Sequence, residues 1–62
     1  MDVLISSKGK ETSYANAGSI DAAIKRFRND HENDVIDAVY IFDSKNDTPE
    51  TRVKVDDWKD VQ

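Results

Sequence analysis

Residues 35–42 form the most hydrophobic stretch of this chain and limit what it can fold into. The segment reads V-I-D-A-V-Y-I-F, and seven of its eight residues are apolar. A run of this length, rich in β-branched and aromatic residues, predicts a strand. Because both of its alternating faces are largely apolar, the pattern is typical of a central strand with a neighbour on each edge. A sheet built around this segment is therefore the predicted centre of the fold.

Three further segments have strand patterns. Residues 2–6 (D-V-L-I-S) predict a first strand, and residues 7–10, with Gly9, predict a turn. Alternation over residues 11–17 predicts a second strand, antiparallel to the first because the connection is short. A polar loop at 43–49 separates the central strand from residues 51–55, whose alternation predicts a hairpin partner.

One segment has the period of a helix. Ser19 is a good N-cap and Asp21 follows in the first turn, so a helix is predicted from residue 20 to residue 30 or 31. Its apolar face consists of Ile20, Ala23, Ile24 and Phe27. The order β-β-α-β-β predicts a single α+β domain over residues 1–62, with one helix packed on a four-stranded, mostly antiparallel sheet.

Composition excludes several classes of protein. The 62 residues include no cysteine, which excludes disulfides, thiolate chemistry and a zinc knuckle. No apolar run approaches the ~18–20 residues of a membrane span, and the first residues lack the order of a signal peptide. We therefore expect a cytoplasmic protein.

No catalytic or metal-binding pattern emerges. The single histidine, His31, lies beside Glu32 at the predicted helix end, where a structural role is expected. The loop from Asp43 does not match a calcium loop, because lysines fall at its third and twelfth positions. A chain this short has difficulty enclosing a pocket of ~300 Å³. We expect no enzyme activity, no cofactor and no metal.

The predicted central strand suggests an interface instead. One helix cannot cover both faces of the sheet, so we expect Val39, Ile41 and Tyr40 to form an exposed apolar patch that binds another protein. Trp58 has two interpretations, a lid on the core or an anchor at that interface.

Charge is unevenly distributed along the chain, whose formal net charge is −4. Residues 1–29 hold five basic and three acidic side chains, whereas residues 30–62 hold four basic and ten acidic ones. Acidic side chains near the patch would orient a partner and could imitate nucleic-acid phosphates. The predicted protein-binding residues are Asp37, Val39, Tyr40, Ile41, Asp43, Asp47, Asp56, Asp57 and Trp58.

Two alternatives stay open. Lys25, Arg26 and Arg28 on the predicted helix could bind nucleic acid, although a solvated helix face is the favoured explanation for them. The chain could also form a homodimer through its sheet faces or edges.

The layout of residues 14–42 resembles that of very small proteins of phages and mobile elements. A strand ending in A-x-A is followed by G-S-I-D-A-A-I-K-R-F and then by D-V-I-D-A-V-Y-I-F. The order is similar to that of some type I anti-CRISPR proteins and of small phage inhibitors of bacterial RNA polymerase. These families share no catalytic motif. The resemblance implies a non-catalytic inhibitor that binds a larger host protein or nucleoprotein complex.

Overall fold

The computed structural model describes residues 1–58. Its elements are β1 (Asp2–Ser7), β2 (Lys10–Tyr14), α1 (Ile20–Asp30), β3 (Ala38–Phe42) and β4 (Val53–Val55). The four strands form one antiparallel sheet in the order β2-β1-β3-β4. The predicted α+β class, with one helix and a four-stranded sheet, is confirmed, and β3 is a central strand as expected.

A two-residue turn joins β1 to β2. Lys8 and Gly9 have φ angles of 52° and 81°, and two positive φ values give the turn twist that suits antiparallel strands. The second strand is shorter than predicted and ends at Tyr14. Asn16 has a φ of 59° and redirects the chain, so residues 15–17 form a loop toward the helix.

The helix begins and ends where the sequence predicts. Ser19 accepts a hydrogen bond through its Oγ from the N–H of Ala22 at 3.1 Å, which satisfies one of the free amides of the first turn. The N–H of His31 donates to the carbonyl of Phe27 at 2.7 Å and ends the helix. Ala23, Ile24 and Phe27 are buried.

The helix covers the sheet face that bears Val39 and Ile41. Val39 lies between Ile5 of β1 and Val55 of β4, and it has no exposed surface. Ile41 is half-buried and packs against the same core. The prediction that these two residues form an exposed docking patch is wrong. Both faces of β3 are apolar, and the helix covers the face that was expected to be free.

The opposite face of the sheet, which we call the helix-free face, is partly hidden as well. Tyr40 and Phe42 lie on it and are half-buried. Leu4 and Ala38 are only 5% and 8% exposed, and they alternate with the residues that face the helix. The apolar side chains that the helix does not cover therefore lie on the helix-free face.

Strands β3 and β4 both begin later than predicted. Residues 35–37 precede the β3 ladder, and Val35 is exposed. Pro49–Thr51 form a single 3₁₀ turn before β4. Trp58 is 8% exposed and belongs to the core cluster, which agrees with its interpretation as a lid. The sequence favours either a short last turn or a frayed end over residues 56–60, of which residues 59 and 60 lie outside the described residues.

Two valines on the helix-covered face provide a test of this placement. Val39→Ala should lower the free energy of unfolding by roughly 2–3 kcal/mol, because it opens a cavity in the core. Val53 is 61% exposed on the same face, and Val53→Ala should cost less than about 1 kcal/mol. Urea denaturation followed by circular dichroism measures both values. Equal losses would contradict the placement of Val39.

Candidate functional site

A shallow cleft lies where β3 begins and β4 ends. Its volume is about 170 Å³, and it is lined by Asp37, Lys54, Val55, Asp56 and Trp58. We call it the acidic cleft. Asp37 directly precedes β3, Lys54 and Val55 belong to β4, and the other two residues follow β4. Its volume is below the ~300 Å³ typical of small-molecule sites, so it suits a single side chain of another molecule better than a substrate.

Asp37 has a structural role in the wall of the cleft. Its Oδ2 accepts a hydrogen bond from the N–H of Lys8 at 2.7 Å, and its own N–H donates to the carbonyl of Ser6 at 2.8 Å. Lys8 is the non-glycine residue with positive φ in the β1–β2 turn. Asp37 therefore attaches the start of β3 to that turn, and its carboxylate is held in place.

The remaining walls combine charge with apolar surface. Val55 and Trp58 are each 8% exposed, while Lys54, Asp56 and Asp57 are exposed. Within residues 1–58, Asp56 and Asp57 make no ion pair and accept no hydrogen bond. A carboxylate beside buried apolar side chains suits a cationic group with an aliphatic stem.

The other predicted acidic residues lie at the opposite end of the sheet, in the connection between β3 and β4. The Oδ1 of Asp43 accepts a hydrogen bond from the N–H of Lys45 at 2.9 Å. Asp47 binds Arg52 through two hydrogen bonds of 2.9 and 3.1 Å, which hold the pKa of the Asp47 carboxyl below its usual value. Both carboxylates thus have partners within the chain.

The structure brings together three of the nine predicted protein-binding residues, with a fourth adjoining them, and separates the other five. Asp37, Asp56 and Trp58 line the acidic cleft, and Asp57 lies next to them in the chain. Tyr40 is on the helix-free face. The pattern T-R-V-K-V, with charged residues alternating with valines, could have indicated Lys54 and Val55, which sequence reasoning missed.

Two of the three basic residues of α1 interact with other side chains of the chain. The Nζ of Lys25 is 3.1 Å from a carboxylate oxygen of Asp21. The guanidinium carbon of Arg26 lies 5.1 Å from the centre of the Tyr14 ring, within cation–π distance. Arg28 is half-buried. Nucleic-acid binding by these three residues stays a prediction.

His31 makes the contacts of a structural histidine. Its ring centre lies 4.9 Å from that of Phe27, and its Nδ1 is 3.6 Å from the carboxylate of Asp34. Over residues 1–58, no three His, Asp or Glu side chains converge as metal ligands would. The one helix in this part of the chain is too short and too polar to cross a membrane.

Asp2 joins two loops that are distant in sequence. Its Oδ1 accepts from the N–H of Asn16 at 3.0 Å and its Oδ2 from the N–H of Ser44 at 3.1 Å. These hydrogen bonds lower the pKa of the Asp2 carboxyl, because they favour its charged form. No local pattern indicates contacts across 14 and 42 residues, so the role of Asp2 becomes visible only in the fold.

Comparison of the chain with protein-family models, with curated proteins and with solved structures finds no match.

The hydrogen bonds of Asp2 predict a dependence of stability on pH. Because its pKa is lower in the folded chain, Asp2 stabilises the fold above about pH 4, and this contribution is lost as the pH falls through the lowered value. Asp2→Asn should lower the melting temperature at pH 7, and its deficit relative to wild type should shrink below about pH 4. Thermal denaturation from neutral to acidic pH measures both effects.

Asp57→Asn is the matched control for this experiment. The Asp57 carboxylate is exposed and has no partner within residues 1–58, so this change should leave the melting temperature nearly unaltered. A deficit of Asp2→Asn that stays constant across the pH range would show that the charged hydrogen bonds are not its cause.

Proposed function

We propose that this chain is a non-catalytic protein-interaction module that binds a basic surface of a larger protein through the acidic cleft and inhibits it by occlusion. The observation that carries the proposal is the contrast between the carboxylates at the two ends of the sheet. Asp43 and Asp47 are bound to groups of the chain itself, whereas Asp56 and Asp57 are exposed and have no partner in residues 1–58.

The chemistry of the cleft favours a lysine or arginine side chain as its ligand. A carboxylate pairs with a guanidinium in a charge-assisted hydrogen bond, which is about twice as strong as a neutral one. Val55 and Trp58, each 8% exposed, supply the smaller, apolar part of the cleft wall, against which the stem of such a side chain can lie. Basic surfaces of this kind occur on proteins that bind nucleic acid, which agrees with acidic mimicry of phosphates.

The same geometry favours binding over catalysis. The cleft volume of about 170 Å³ leaves little room for a substrate. The side chains of Asp37 and Asp56 are exposed to water, whereas an active site usually shields its reacting groups from water. A cytoplasmic location, expected from the cysteine-free composition, is part of this proposal.

An octa-arginine peptide is a defined probe of the site. In NMR titrations of the full chain, the amides of Asp37 and of residues 54–58 should shift, and the affinity should fall with added salt. Asp56→Lys should weaken binding roughly 3–10-fold, since it replaces an attractive charge with a repulsive one. Lys54→Gln should strengthen binding, because it removes a like charge from the cleft.

Glu50→Lys is the matched control. Glu50 is an exposed acidic residue in the 3₁₀ turn that precedes β4, and its replacement changes the net charge as much as Asp56→Lys does. If both variants weaken binding equally, the peptide responds to overall charge and the cleft is not the site. A parallel titration with a single-stranded dT oligonucleotide tests the alternative. Shifts confined to Lys25, Arg26 and Arg28 would support nucleic-acid binding instead.

Capture of proteins from a lysate of the native host by the immobilised chain then tests whether a partner binds through the acidic cleft. The proposal requires a protein retained by wild type and by Glu50→Lys but lost with Asp56→Lys. Retention that is unaffected by Asp56→Lys would contradict docking through this end of the sheet.

A further inference from the structure

The helix-free face contains a buried residue that no helix covers. Leu4 is 5% exposed in the middle of this face, and its cross-strand neighbours there are Ser13 and Tyr40. Tyr40 is only half-buried. Because the helix lies on the other side of the sheet, the cover over Leu4 comes from side chains of the helix-free face itself or of the adjoining loops.

Arg52 is placed to supply that cover. Its Nη1 lies 3.3 and 3.4 Å from the two carboxylate oxygens of Glu11, while its Nε and Nη2 bind Asp47. All three guanidinium nitrogens are therefore engaged. The Arg52 side chain is 23% exposed, which is low for a charged surface residue. We call this arrangement the Arg52 strap.

The strap joins opposite edges of the sheet. Glu11 belongs to β2 at one edge, and Arg52 directly precedes β4 at the other. Glu11 pairs with Ser6, which in turn pairs with Ala38 at the start of β3. The β3–β4 register places Arg52 beside Phe42, at the end of β3. The pair thus connects diagonal corners, and the line between them crosses the region of Leu4 and Tyr40.

Strand β4 needs additional attachment. It has three residues and pairs on one side only, with β3, and so short an edge strand is weak by itself. Trp58 attaches the chain after β4 to the core, and Arg52 is positioned to attach the chain before it.

We infer that the Arg52 strap is an electrostatic latch that holds β4 in place, and with it one wall of the acidic cleft. Release of this latch opens the helix-free face. Arg52 is a positioning residue in this scheme. The inference does not depend on what the cleft binds, because its test measures motion of β4 and not affinity.

Amide hydrogen exchange measured by NMR tests the latch in the full chain. In Arg52→Met, which keeps an apolar stem, the amides of β4 should exchange roughly 3–10-fold faster, while those of β1 change much less. Glu11→Gln should accelerate the same β4 amides although Glu11 lies on β2. A merely local role of Glu11 would not produce this effect across the sheet.

The double variant shows whether the two residues act together. In the Arg52→Met background, Glu11→Gln should add little, because the pair is already broken. Lys25→Met, which removes the exposed ion pair with Asp21 on the helix, is the control and should leave β4 exchange unchanged. Raising the salt concentration from about 0.05 to about 1 M should accelerate β4 exchange in wild type and have less effect in Arg52→Met.

Three outcomes would overturn the inference. One is unchanged β4 exchange in Glu11→Gln. Another is an equal effect of Glu11→Gln with and without Arg52. The third is uniform acceleration of all amides in Arg52→Met, which would indicate global destabilisation. If Arg52→Met does not fold, the β4 exchange rates of Glu11→Gln and of wild type at different salt concentrations still test the inference.

Discussion

One helix on a four-stranded sheet can cover only one face, and this constraint governs the rest of the structure. Ile24 and Phe27 pack with Ile5 and Val39 in a single core, and the 62-residue chain has no disulfide to support it. The other face still carries Tyr40 and Phe42, which are half-buried. In place of a second layer, charged side chains cross this face. A domain of this size therefore depends on polar contacts between distant segments as well as on its core.

Local patterns predict most of the elements but not the orientation of the sheet. The N-cap Ser19 and the helical spacing after it give the bounds of α1, because capping and amphipathic packing act over a few residues. Period-two alternation separates the two faces of β3, yet both faces are apolar, so alternation alone cannot decide which one meets the helix. For this reason the expectation that Val39 and Ile41 lie on the free face is wrong. The decision depends on the register with β1 and β4, which is a long-range property.

The same distinction applies to the candidate site. Sequence reasoning identifies the carboxylates, but their use depends on partners far along the chain. The carboxylate of Asp37 binds the N–H of Lys8, 29 residues away, and Asp2 binds loops on two sides. Asp47 is paired with Arg52. Because those carboxylates already bind groups of the chain, Asp56 and Asp57 are the predicted acidic residues that are exposed and have no partner in residues 1–58.

The site and the stability of the domain are connected through β4. This strand supplies Lys54 and Val55 to the acidic cleft, and it lies between two points of attachment, Arg52 on one side and Trp58 on the other. A partner that inserts a cationic side chain beside Asp56 would act on β4, which pairs with a single neighbouring strand but is attached to the fold at both ends. Such a segment can adjust to a ligand while the core residues of α1, β1 and β3 keep their packing, because edge elements open at lower free-energy cost than central ones. Binding at this end of the sheet is therefore compatible with the marginal stability of so small a chain.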